Sequence, residues 1–198
     1  MVVERVVAGQ TVYYTERLSW GLPQEDVTDG YKNKYQIYSD CAKVVESDTD
    51  VSEITGLYFL EGKTVKVLVD GKVQTDKTVV DGTITLDDAG KVVVVGAGYD
   101  WLIETLYINI GANDGTAQGL PQRVSKLIAR VIDTRYFKAK ASGGNRYDFV
   151  CDKDVLTDDD FEIHLPSDYS RKMTMFFEGG KPVSCCILML VGEMRTFQ

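Results

Sequence analysis

The sequence predicts an all-β fold: an antiparallel β-sandwich or barrel built from hairpins, with a small β-barrel inserted in it. Three observations carry this. Short runs rich in Val, Ile, Thr and Tyr recur along the chain, such as Thr64 to Val69 and Val92 to Val95, and such side chains suit a pleated, half-buried surface. Within the first run Val65, Val67 and Val69 alternate, which puts them on one strand face. Asp70-Gly71 and Asp81-Gly82 punctuate these runs, and Asp-Gly supplies the two positive-φ positions of a type I′ hairpin turn.

The elements divide into three segments. Residues 1–50 hold two extended runs around Ala8-Gly9-Gln10, then a polar, irregular connection over 21–50 with a turn at Asp29-Gly30. Long connections carry function or assembly contacts more often than short ones. Residues 51–97 form the small turn-dense barrel: Thr64 to Val69, a return over Val73 to Val80, Thr83 to Leu86, a turn at Asp87-Asp88-Ala89-Gly90, then Val92 to Val95. Such a unit displays surface and holds no cofactor.

Residues 98–198 complete the sandwich. Trp101 to Ile110 reads as a strand, and Gly111 to Gly119 as a turn-rich loop. Over 122–137, Val124, Leu127, Ile128, Val131 and Ile132 fall at helical spacing, whereas Leu127, Ala129 and Val131 also fit a strand face. On pattern alone the helix is the better match. Ala139 to Asn145 reads as a loop. Asp148 to Glu162 holds seven acids against Lys153 and reads as a solvated acidic loop. A hairpin closes the chain: Arg171 to Phe177, a turn over 178–181, and Pro182 to Glu193. No repeat with a period of 20–50 residues is visible.

Composition narrows the function. A chain of 198 residues can bury a sizeable core without a staple. The net charge of −8 disfavours tight nucleic-acid binding, which draws on Lys and Arg neutralising phosphates. The four cysteines, Cys41, Cys151, Cys185 and Cys186, form no CxxC pair and read as reduced thiols. Glu4 and Arg5 break any opening apolar stretch, and the apolar run Cys185 to Val191 is too short to span a bilayer. The expected chain is soluble, made in a cytoplasm, and not inserted in a membrane.

No residue pattern points to catalysis, a cofactor or a metal. Asp152 and Asp154 have the first step of a calcium loop, but the fifth position is Leu156 and the glycine is missing. His164 alternates with Glu162 on a polar strand face, away from any Ser or Cys. The glycines at 96, 98 and 111–119 lack the P-loop pattern. The eleven tyrosines suit sugar contacts or subunit interfaces equally well. The expectation is a non-enzyme.

Several stretches nevertheless occur in a telling order. They are Ile54-Thr-Gly-Leu-Tyr-Phe-Leu-Glu-Gly-Lys-Thr-Val-Lys-Val-Leu-Val-Asp-Gly71, Gly82 to Leu86, Val95 to Asp100, Glu104-Thr-Leu106, Gly115 to Gly119, Arg123-Val-Ser125 and Pro182 to Glu193. Together they resemble the C-terminal part of tail tubular or nozzle proteins of short-tailed bacteriophages, also called stabilisation proteins. The resemblance covers about residues 50–194 of a chain shorter than such proteins usually are. It implies a structural virion protein: a tail tube, nozzle or connector ring of identical copies, docked to neighbouring tail proteins, through which genome DNA passes without specific binding. It also implies that 122–137 is a strand, which we adopt because branched residues are weak helix formers. The alternative is a non-catalytic binding module of the tail, an adhesin or fibre-docking domain.

Overall fold

A computed structural model describes residues 2–7, 9–17, 29–107, 111–112, 115–116, 120–142, 149–165 and 168–196. The fold is all-β, and every strand pairing in it is antiparallel. The chain forms two units, residues 1–99 with 180–184, and residues 100–179 with 185–198. The boundary expected at 97/98 therefore lies at 99/100. The one expected at 50/51 falls inside a strand, because much of the supposed connection is extended and paired.

Unit one begins with a hairpin of β1 (Val2–Val7) and β2 (Gln10–Thr15). A short helix α1 (Asp29–Lys34) replaces the turn expected at Asp29-Gly30. The remaining strands are β3 (Asp40–Ile54), β4 (Thr64–Val69), β5 (Lys72–Val73), β6 (Lys77–Thr78) and β7 (Ile84–Ala97). Their sheet runs β3-β7-β4-β5, with β6 also on β4. That order makes an open sheet where the sequence led to a small closed barrel.

Both Asp-Gly turns form as expected. Asp70 and Gly71 have φ of 47° and 84°, and Asp81 and Gly82 have 51° and 66°. The second turn is closed by Val80 and Thr83, whose N–H groups donate to each other's carbonyls at 3.1 and 3.0 Å. The carboxylate of Glu61 accepts from the N–H groups of Asp81 and Gly82.

The turn expected at 87–90 is instead an irregularity inside β7, where four residues oppose one of β3. Side chains from the return segment hold it in place. Gln74 Oε1 accepts from Asp87 N–H, while Asp87 accepts from Thr75 Oγ1 and pairs with Lys77. Gly90 is required there, since a Cβ would lie 2.3 Å from Val69 and 2.5 Å from the Asp70 carboxylate. The core of this unit gathers Val65, Val67 and Val69 with Ile54, Leu57, Leu60, Val79, Ile84, Val93 and Val95. Leu68 and Val94, cross-strand partners, are buried on the opposite face.

Unit two holds β8 (Trp101–Glu104), the short pair β9 (Gly111–Ala112) and β10 (Gly115–Thr116), β11 (Gln122–Ala141), β12 (Phe149–His164), β13 (Met175–Gly179) and β14 (Ile187–Thr196). The strand expected over 101–110 ends at Glu104, and 108–110 lie outside the described residues. Residues 122–137 are strand, as the resemblance implied and as the helical spacing did not. β11 continues to Ala141, through much of the expected loop at 139–145, of which 143–145 are not described. The acidic segment is likewise a strand, β12. The expected closing hairpin does not form: β13 and β14 both pair with β11, at 138–141 and 122–131 respectively.

β11 manages three partners by bending. Its ladder slips first between Val124 and Lys126 against β14, and again around the middle of the strand, between Arg130 and Val131 against β14 and from Val131 through Thr134 to Tyr136 against β12. The second bulge places Asp133 at φ 45°. Buried Thr134 secures it: its hydroxyl accepts from Cys186 N–H at 2.8 Å and lies 2.9 Å from Ile132 O and 3.1 Å from Cys186 O. The core of unit two lies on one face, where Phe137 sits 5.5–6.4 Å from the rings of Phe149, Phe161 and Phe177.

Two stability outcomes are expected. Val67→Asp buries an unpaired charge in a fully buried site and costs several kcal/mol. Lys66→Asp loses only a part-exposed pair with Asp76, about 1 kcal/mol or less. Equal losses in urea unfolding would refute the strand face. Thr134→Val leaves the Cys186 N–H without its acceptor and should cost about 1–3 kcal/mol, while Thr134→Ser should recover most of it.

Candidate functional site

Three surfaces stand out among the described residues. The first is the charged ladder between β11 and β12. Strands disfavour Asp, yet β12 carries Asp152, Asp154, Asp158, Asp159, Asp160 and Glu162. The basic residues of β11 offset this. Arg130 lies directly opposite Asp160 and donates from Nε and Nη2 at 2.7 and 2.6 Å. Lys126 pairs with Glu162 at 2.6 Å. The N–H of Asp133 donates to Asp158 at 2.7 Å. These hydrogen bonds hold the Asp160 and Glu162 carboxyls below their ordinary range.

Arg135, by contrast, is buried, and its Nε donates to Lys153 O at 3.1 Å. Burial lowers its pKa, against the opposing fields of Asp154 and Asp152. The aspartates with calcium-loop spacing thus sit within the field of a guanidinium. Among the described residues no group of three acids, histidines or cysteines could hold a metal ion. His164 shares a face with Glu162, as expected, at 3.1 Å and largely in solvent. Lys126 and Arg130 are engaged by carboxylates, and Arg123 lies over the Tyr169 ring.

The second surface is the edge formed by β14. Among the described residues this strand pairs with β11 alone. Alternation should hide every second side chain, but Leu188, Met189, Leu190 and Val191 are 58, 44, 37 and 48% exposed. Leu102 and Ile103 on β8, the terminal strand of the same sheet order, are exposed too. The sheet is thus acidic along β12 and apolar along its other side.

The third is a cleft of about 690 Å³ in unit one, lined among others by Tyr14, Phe59, Tyr99, Glu16, Asp40 and Cys41. A bulge in β3 between Asp40 and Lys43 shapes its wall. Cys41 takes φ 51° there, and its thiol donates to Glu16 Oε1 at 3.2 Å. Arg5, on β1, holds the same carboxylate in a fork, from Nε at 2.9 Å and Nη2 at 3.0 Å. These bonds lower the Glu16 pKa, chiefly through Arg5. Burial, then the bond to Glu16, pushes the Cys41 thiol up to about 12. Burial and the charge of Asp40 raise the Tyr99 phenol. The sequence reading missed this cleft. Its only local signal was a polar stretch containing Cys41, and Glu16, Cys41 and Tyr99 lie far apart in the sequence.

No family model matches the chain, and no curated protein matches it. Among the described residues no helix is long and apolar enough to cross a membrane.

All four cysteines are free thiols. Only Cys186 is exposed, while burial raises the pKa of Cys151 and pushes Cys185 to about 12. A disulfide-exchange reagent at pH 8 should therefore titrate one thiol promptly in the folded protein and four after denaturation without reductant. A denatured count near two would reveal a disulfide.

Proposed function

We propose that the chain is a structural subunit of a bacteriophage tail, one of several copies in a tube, nozzle or connector ring through which the genome is delivered. The observation that carries this reading is the apolar edge at β14. A strand bonded on one side only, with four consecutive apolar residues exposed, is a template for strand pairing unless something covers it. A neighbouring copy covers it in a ring. The ordered resemblance over about residues 50–194 supports the same reading. β12 suits the role of a non-adhesive edge, because its charge opposes strand pairing with another acidic edge.

The ladder on β11 supports passage of DNA without retention. Affinity for phosphates comes from cations that release counterions, and Lys126 and Arg130 already face carboxylates. A second reading, a peripheral binding module of the tail, draws on the aromatic cleft in unit one.

Native mass measurement with negative-stain imaging tests the proposal. The expected result is a closed ring with a central hole, reduced to monomers by Leu190→Asp. A monomer in the parent protein, or a peripheral knob on the virion, would overturn it. A gel-shift assay at physiological salt should show no retention of duplex DNA.

A further inference from the structure

We propose that the cleft of unit one is a binding site for a short neutral saccharide, independent of whether the chain forms a ring or a knob. Its volume of about 690 Å³ lies within the roughly 300–1,000 Å³ of small-ligand clefts. Its composition selects the ligand class.

The first component is aromatic. Tyr14, Phe59 and Tyr99 contribute rings to the wall. Tyr14 and Phe59 brace one another edge to face at 6.2 Å. Tyr99, 44% exposed, stands at the solvent side. Rings present broad apolar faces with a polar tip, which match the C–H faces and rim hydroxyls of a pyranose.

The second component is planar and charged. Glu16 is fixed by Arg5 and by the Cys41 thiol. These donors hold the Glu16 carboxylate in the wall of the cleft. Asp40 and Arg17 also line the cleft. Among the described residues neither side chain has a hydrogen bond or ion pair. A carboxylate and a guanidinium beside apolar rings are a forked acceptor and a forked donor for adjacent hydroxyl groups.

Charge decides against the other candidates. Arg5 neutralises Glu16 through its fork, and Arg17 and Asp40 line the cleft with opposite charges. The balance is zero, so neither a phosphate or sialic acid nor a lysine-rich peptide gains a net field. A polyhydroxylated neutral molecule uses both signs at once. The strained backbone at Cys41 fits this role. A non-glycine residue at positive φ is costly to hold, and here it aims a protonated thiol at the carboxylate that the ligand would meet.

The test is retention of the intact protein on a printed array of neutral, uronic-acid-containing and sialylated oligosaccharides. Calorimetric titration with the best neutral oligosaccharide follows. Tyr99→Ala and Asp40→Asn change exposed side chains, so their unfolding temperatures should match the parent. Each should weaken binding by about tenfold or more, as loss of one well-placed contact does. Tyr13→Ala, a neighbour on β2 that does not line the cleft, should bind as the parent does. The inference is overturned if no neutral oligosaccharide is retained, if only charged probes are, or if Tyr99→Ala and Asp40→Asn bind unchanged.

Discussion

Unit two depends on one strand that would be too long to use if it were straight. β11 has twenty residues, about 66 Å at about 3.3 Å each. Such a rod could not keep one face over a single core. The bulge at Asp133-Thr134 solves this with a bend and a change of partner. Before it the second edge of β11 belongs to β14; beyond it the edge passes to β13. The Thr134 hydroxyl ties the junction to the backbone at Cys186, so the bend and the start of β14 are one bonded feature.

The charge distribution follows from that geometry. With β12 along its first edge, β11 sets Lys126 and Arg130 against Glu162 and Asp160. A segment that would otherwise be hydrated coil becomes a strand because its repulsions are offset across the ladder. Acidity along β12 and apolarity along β14 and β8 give one sheet two unlike margins. Of the two, only the β14 margin is apolar, with Leu188 to Val191 exposed along it.

What could be read from the residues depended on whether the signal was local. The turns at Asp70-Gly71 and Asp81-Gly82 were legible because positive φ restricts residue type at the position itself. The inward face of β4 was legible because its alternation is unbroken. β11 imitated a helix for a physical reason: the slip after Val124 makes its buried residues Val124, Leu127, Ala129 and Val131, so a step of three precedes the steps of two. Asp87 to Gly90 imitated a turn because a tight bulge needs the same residues, here for the approach of Gly90 to Val69. The acidic strand was hidden because its partners lie on another strand. The cleft was hidden for the same reason, more severely, since Arg5, Glu16, Cys41 and Tyr99 come from four separate places along the chain.

The order of strands along β11 also sets a timetable. β12 directly follows β11 in the chain, so that edge can close soon after both have emerged. The other edge, over residues 122–131, waits for residues 187–196. At about 5–20 residues per second of synthesis this interval is on the order of ten seconds. Through it, one half of the longest strand among the described residues offers open backbone to any passing chain. Among the described residues β14 comes last in chain order. Pairing with β14 is what ends that exposure, so the two strands protect each other's backbone only once both are present.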